Sequence, residues 1–251
     1  MIRKSMASAL AVLAVCTVSG AAFAQVPANI TAAVANPARP AEDSARDAAR
    51  HPGEILAFAD VKPGASVVDF IMGGGYFTRI LSGAVGSTGT VYAYQPAEFI
   101  QFSAKYGENL KTVSAALPNA KPLDGSLLAL DLPDGLDLVF TVQNYHDLHL
   151  KPFPAATAAG VNAEIFKSLK PGGLFVIVDH AAAAGAGTTV AHDLHRIEVA
   201  AVKAEVEAAG FKLEAESPLL RDATDPHTAS VFDPAIRGKT DQFILKFRKP
   251  K

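Results

Sequence analysis

The segment Val67-Val68-Asp69-Phe70-Ile71-Met72-Gly73-Gly74-Gly75-Tyr76-Phe77-Thr78 constrains this chain more than any other. Its short, continuously apolar start predicts a strand buried on both faces. Three glycines follow, and a helical pattern opens at Tyr76. Glycine lets a backbone turn tightly and lets a ligand approach closely. The N-terminus of the next helix offers free N–H groups and a positive dipole end, which suit a nucleoside or a carboxylate. A strand, a glycine turn and a helix in this order predict an α/β chain with a ligand-binding loop.

The rest of the sequence repeats the alternation. Strands are predicted over Ser66–Ile71, Gly89–Tyr94, Leu127–Leu130, Leu136–Val142, Leu174–Asp179, Phe211–Glu216 and Gln242–Arg248. Helices are predicted over Ala41–Ala59 with an interruption at Pro52, then Tyr76–Val85, Pro96–Tyr106, Glu108–Ala116, Ala156–Leu169 and a long Ala191–Ala209. Lys170-Pro171-Gly172-Gly173 and Gly210 close the last two of these. Strands alternating with helices imply a doubly wound, mostly parallel sheet covered on both faces, with ligands at the carboxyl ends of its strands.

The N-terminus reads as an export signal. Arg3 and Lys4 precede an apolar run from Ala7 to Val18, and Ala22-Phe23-Ala24 supplies the small residues that a signal peptidase reads. The expectation is a signal peptide over 1–24, a flexible Ala/Pro-rich arm over 25–40, one domain over 41–251, and a periplasmic or secreted location. The single cysteine, Cys16, leaves with the signal, which removes any disulfide or thiolate metal site. The formal net charge of −2 becomes more negative once Arg3 and Lys4 are gone. That balance excludes a nucleic-acid or anionic-membrane surface and leaves a small-molecule partner.

The glycine segment resembles motif I of the class I S-adenosylmethionine (SAM)-dependent methyltransferases, an acidic strand residue followed by Gly-x-Gly-x-Gly. Lys62-Pro63-Gly64, Gly89-Thr90-Val91-Tyr92 and Leu169-Lys170-Pro171-Gly172-Gly173 are similar to segments habitual there. More narrowly, Asn144-Tyr145-His146-Asp147-Leu148-His149, Asp179-His180 and Ser230–Asp241 resemble a group of exported bacterial predicted methyltransferases. The resemblance covers about Pro52 to Phe247. It implies a Rossmann-like sheet of seven strands with the last antiparallel, and SAM as cofactor. It assigns Asp69, Gly73, Gly74, Gly75, Gln95 and Asn144 to the cofactor. Two positions depart from the pattern: Ile71 stands at the first motif glycine, adding bulk where the cofactor's amino-acid end would lie, and Gln95 stands where an acid usually meets the ribose.

Asn144–His149 follows an apolar strand and therefore sits at the ligand edge of the sheet. His146 is the candidate general base, since an ordinary imidazole titrates near neutrality. Asp147 or Asp179 would orient it. Tyr145 would stack on or bond the substrate, and His180 would reach the same cleft. Arg237 and Lys239, in a long loop, would hold a substrate carboxylate or phosphate, and His195 would join them. No ligand set with established spacing appears, so no metal is assigned. The leading expectation is a SAM-dependent methyltransferase acting on a small molecule. The alternatives are a SAM-independent lyase of retro-aldol type or a hydrolase on the same fold, and then a non-catalytic binding protein.

Overall fold

The computed structural model describes residues 25–251. The export signal assigned to residues 1–24 lies outside the described residues. Seven strands form one sheet: β1 (Ser66–Phe70), β2 (Thr90–Pro96), β3 (Ala120–Gly125), β4 (Leu136–Val142), β5 (Leu169–His180), β6 (Lys212–Ser217) and β7 (Gln242–Arg248). Their spatial order is β3-β2-β1-β4-β5-β7-β6. Pairs from β3 to β5 are parallel, and β7 runs antiparallel to both β5 and β6. The strand order reverses between β1 and β4, where sheets of this kind bind ligands.

The period of two along each strand sorts the core. Val68, Val139, Phe175 and Ile177 pack on one face with Val161, Ile165, Val202 and Val206. Val67, Phe140, Val176 and Val178 pack on the other with Ile55, Leu56, Phe77, Ile80 and Leu81. Every strand in the middle of the sheet is thus covered twice, which is why its sequence reads as an unbroken apolar run.

Three expectations are corrected. Residues 25–40 are not a loose arm: Ala28–Val34 is a helix whose Ile30 and Ala33 are buried against the core. Ala33 lies so close to Gly83 that a side chain there would meet it at 2.9 Å. The composition hid this, because a short Ala-rich helix owes its stability to one apolar stripe rather than to propensity. Leu127–Ala129 is a 3-10 turn, and the third strand is Ala120–Gly125. The long helix over Ala191–Ala209 is two pieces, Ala191–Leu194 and Val199–Ala208, broken where His195 adopts a left-handed φ of 53°. Arg196 forces the break, since its guanidinium is drawn inside to pair with Asp225 at 2.8 Å with neither side chain exposed by more than 1%.

Among the described residues no helix is long and apolar enough to cross a membrane. Replacing Ile30 with Ala should lower the unfolding free energy by about 2–4 kcal/mol in urea titration, the cost of a buried large-to-small change. A loose arm would give a change within about 0.5 kcal/mol.

Candidate functional site

The glycine turn follows β1, and its three glycines do different work. Gly73 and Gly75 have φ of 58° and 79°, which glycine alone adopts freely. A Cβ on Gly75 would also strike the Val113 methyls at 2.8 Å, so this glycine lets helix Ala104–Ala116 close down on the turn. Around Gly73 and Gly74 a Cβ would meet no atom of the described residues within 4 Å. That surface is the open side of the turn. Ile71, expected to intrude on it, instead packs inward with 3% exposure. Its φ of 62° accounts for the glycine usually found at this place in the motif, because a β-branched residue is strained there. Burial of its side chain offsets that strain.

Polar side chains hold the turn in place. The Gly73 amide donates to Gln95 Oε1 at 3.0 Å, and Asn144 Nδ2 donates to the Ile71 carbonyl at 3.0 Å. Asn109 Nδ2 reaches the Gly73 carbonyl at 3.3 Å. Gln95 and Asn144, assigned to the cofactor from the sequence, therefore support the turn. Gln95 has no exposed surface, and its Nε2 has no hydrogen-bond partner among the described residues. Asp69 lies beneath, accepting a hydrogen bond from the Thr78 hydroxyl at 2.6 Å. Burial pushes its carboxyl up to about 6, opposed by the Thr78 hydrogen bond and the charge of Arg50.

Beside the turn, the ends of β4 and β5 carry the second half of the site. Asp179 is fully buried and accepts from the His146 amide at 2.7 Å, from the His180 amide at 2.7 Å, and pairs with His146 Nδ1 at 2.8 Å. His146 Nε2 then faces Asp147 Oδ1 at 3.2 Å and His195 Nδ1 at 3.2 Å. Burial would lower the His146 pKa, but Asp179 and Asp147 outweigh it and push it up to about 10. In this state the ring carries both protons at neutral pH. Its Nε2 must lose a proton before it can act as the general base expected from the sequence, or as a ligand. His195 moves the other way, lowered by burial and then by the neighbouring imidazolium. His180 bonds the Thr240 hydroxyl at 2.8 Å and is pushed down to about 4, first by burial.

Other sequence assignments fare differently. Tyr145 faces away from the cleft: its hydroxyl donates to Glu205 at 2.9 Å and accepts from Asn162 at 2.8 Å within the helix layer. His149 joins the same network through Glu205 at 3.0 Å. Arg237 and Lys239 are exposed and make no side-chain hydrogen bond among the described residues. Their loop contributes Thr240 and Phe232 instead, the latter edge-on to His195 at 4.7 Å between ring centres.

Two residues missed from the sequence lie close to these groups. Arg50 ends helix Asp47–Arg50 and lies 4.4 Å over the Tyr76 ring, and its charge acts on both Asp69 and His180. Its guanidinium donates no hydrogen bond to any described residue. Tyr106, on helix Ala104–Ala116, is near enough to Asp147 for that carboxylate to raise its pKa, after burial. Neither carried a sequence signal beyond the Arg50–Glu54 segment standing just ahead of the first strand. The Asp69 shift sets a pH dependence. A carboxyl raised by folding favours the native state below its unfolded pKa, and that advantage is lost as pH rises through about 6. Between pH about 4 and about 6 the protein should lose roughly 3 kcal/mol relative to Asp69→Asn, measured by denaturant unfolding across pH. Parallel pH curves for the two proteins would contradict a buried, shifted Asp69.

No protein-family model and no curated protein matches the sequence. Among solved structures, a SAM-dependent methyltransferase from Mesorhizobium loti superposes with a TM-score of 0.55 at 18% identity, covering 81% of this chain and 99% of that one. A SAM-dependent methyltransferase from Aquifex aeolicus superposes with a TM-score of 0.54 at 20% identity, covering 78% of this chain and 88% of that one. At such identities the likeness speaks to architecture, and the chain has the fold of the class I SAM-dependent methyltransferases.

Proposed function

We propose that this protein is a SAM-dependent methyltransferase acting on a small molecule. The observation that carries the reading is the open face of Gly73 and Gly74 at the carboxyl end of β1, next to the point where strand order reverses. The likeness of fold to SAM-dependent methyltransferases supports it. The residues present fit the cofactor. A Cβ at Gly73 or Gly74 would meet no described atom within 4 Å, which leaves their backbone open to close approach. Arg50, over the Tyr76 ring that follows the turn and donating to no described residue, suits the ligand's carboxylate, and a charged guanidinium binds such a group strongly. When bound, SAM supplies an electrophilic methyl on a sulfonium.

The chain's own contribution is position. The acceptor would be held at the other side of the cleft by His146, His195 and Asp147, with Tyr106 and Phe232 as its aromatic walls. Bringing two reactants to contact distance in line provides most of what a methyl transfer needs. An acceptor with an anionic oxygen or a free amine requires no strong base, which agrees with a His146 that already holds its protons. The N-terminal pattern supports action outside the cytoplasm.

One observation favours a SAM-independent lyase or hydrolase: Gln95, where an acid would meet the ribose, is fully buried and its carbonyl is engaged by Gly73. Titration with S-adenosylhomocysteine by calorimetry separates the readings. One-to-one binding is expected for the wild type. Gly74→Val should fold with an unchanged melting temperature, because its φ is ordinary and its surroundings are open, yet it should abolish binding by filling the cradle. Arg50→Ala should weaken binding by about 10- to 100-fold, as for loss of a charge-assisted hydrogen bond. A wild type that takes up no ligand at millimolar concentration would leave the SAM-independent reading.

A further inference from the structure

We propose that His146, Asp147 and His195 form a binding site for one divalent first-row transition ion. His146 Nε2, Asp147 Oδ1 and His195 Nδ1 all lie within 4.8 Å of one another. The three edges of that triangle are 3.2 Å from His146 to Asp147, 3.2 Å from His146 to His195 and 3.9 Å from His195 to Asp147. Metal–ligand bonds of about 2.1 Å at angles of about 90–110° separate ligand atoms by about 3.0–3.4 Å. Two edges already meet that spacing, and the third closes with a small rotation of His195.

The surroundings are built for such an ion. A metal-bound imidazole usually gives its other nitrogen to a carboxylate, which fixes the ring and its tautomer. His146 does this with Asp179 at 2.8 Å, and Asp179 is itself held by two backbone amides. His195 is turned toward the cluster by its left-handed backbone, and Phe232 braces its ring from the edge. His146 and Asp147 are almost buried, whereas about a quarter of the His195 side chain is exposed. The ion would therefore keep coordination positions open toward the cleft, where a substrate oxygen or water can bind. Two imidazoles and one carboxylate select Zn²⁺, Fe²⁺ or Mn²⁺ over Mg²⁺ and Ca²⁺, which prefer oxygen ligands. This departs from the sequence reading, which assigned no metal. The third ligand, His195, sits at a helix break that the sequence did not announce.

The site shares His146, Asp147 and His195 with the acceptor position proposed above but uses no residue of the glycine turn, so its test uses no nucleoside. Purified protein is stripped with chelator and titrated with ZnCl₂ and MgCl₂ by calorimetry, with metal content measured after dialysis. One Zn²⁺ per chain is expected, with Mg²⁺ binding at least about 100-fold weaker. His195→Asn keeps a residue that tolerates the left-handed backbone, and Asp147→Asn keeps the side-chain shape. Both should retain the wild-type circular dichroism and weaken Zn²⁺ by about 100-fold or more, whereas His149→Gln, outside the triad, should bind as the wild type does. Absence of one-to-one Zn²⁺ uptake by the wild type, or equal uptake by His195→Asn and Asp147→Asn, would overturn the site.

Discussion

The site depends first on the Asp179 carboxylate. It ends β5 with no exposed surface, and an unpaired charge in that position would be costly. Three donors compensate it: the His146 amide, the His146 ring and the His180 amide. One carboxylate thereby ties the segment after β4 to the end of β5 and sets the direction of the His146 imidazole. Everything that faces the cleft from this side, including the approach of His195 and Asp147, follows from that ring being fixed.

The opposite wall rests on a different economy. The turn after β1 uses three strained or glycine-only backbone positions, Ile71, Gly73 and Gly75, and side chains from β2, from the segment after β4 and from helix Ala104–Ala116 hold it. Gln95 is the clearest case. A carboxylate there would be repelled by burial without a cation, while a neutral amide can sit fully buried and accept from Gly73. The substitution that weakens the family pattern at the ribose thus has a local structural reason. Arg50 lies over the Tyr76 ring that follows this turn, and its charge acts on both Asp69 and His180.

Much of this was legible in the sequence because central strands buried on both faces are unmistakable as apolar runs, and because polar residues directly after such runs must gather at one sheet edge. That logic located Asp69, the three glycines, His146, Asp147, Asp179 and His180. It failed where exposure or tertiary contacts rule. The edge strand Ala120–Gly125 carries Lys121, Pro122 and Asp124 and has no fully buried residue, so it reads as a loop. Tyr145 sits between two cleft residues in sequence, yet the 3-10 turn that begins at His146 sends its ring into the helix layer. His195 and Arg50 come from short helices whose placement is decided by packing, by the Arg196–Asp225 pair in one case and by Tyr76 in the other. No local pattern encodes either position.

A crystal structure of the protein grown with S-adenosylhomocysteine tests the central claim, that the glycine turn and the Asp179-anchored cluster are two walls of one ligand cleft. The ligand should lie across Gly73 and Gly74 with its amino-acid carboxylate at Arg50 and its sulfur toward His146. A ligand ordered instead in the apolar hollow of about 560 Å³ between Leu127–Leu130 and helix Thr157–Ser168 would contradict it.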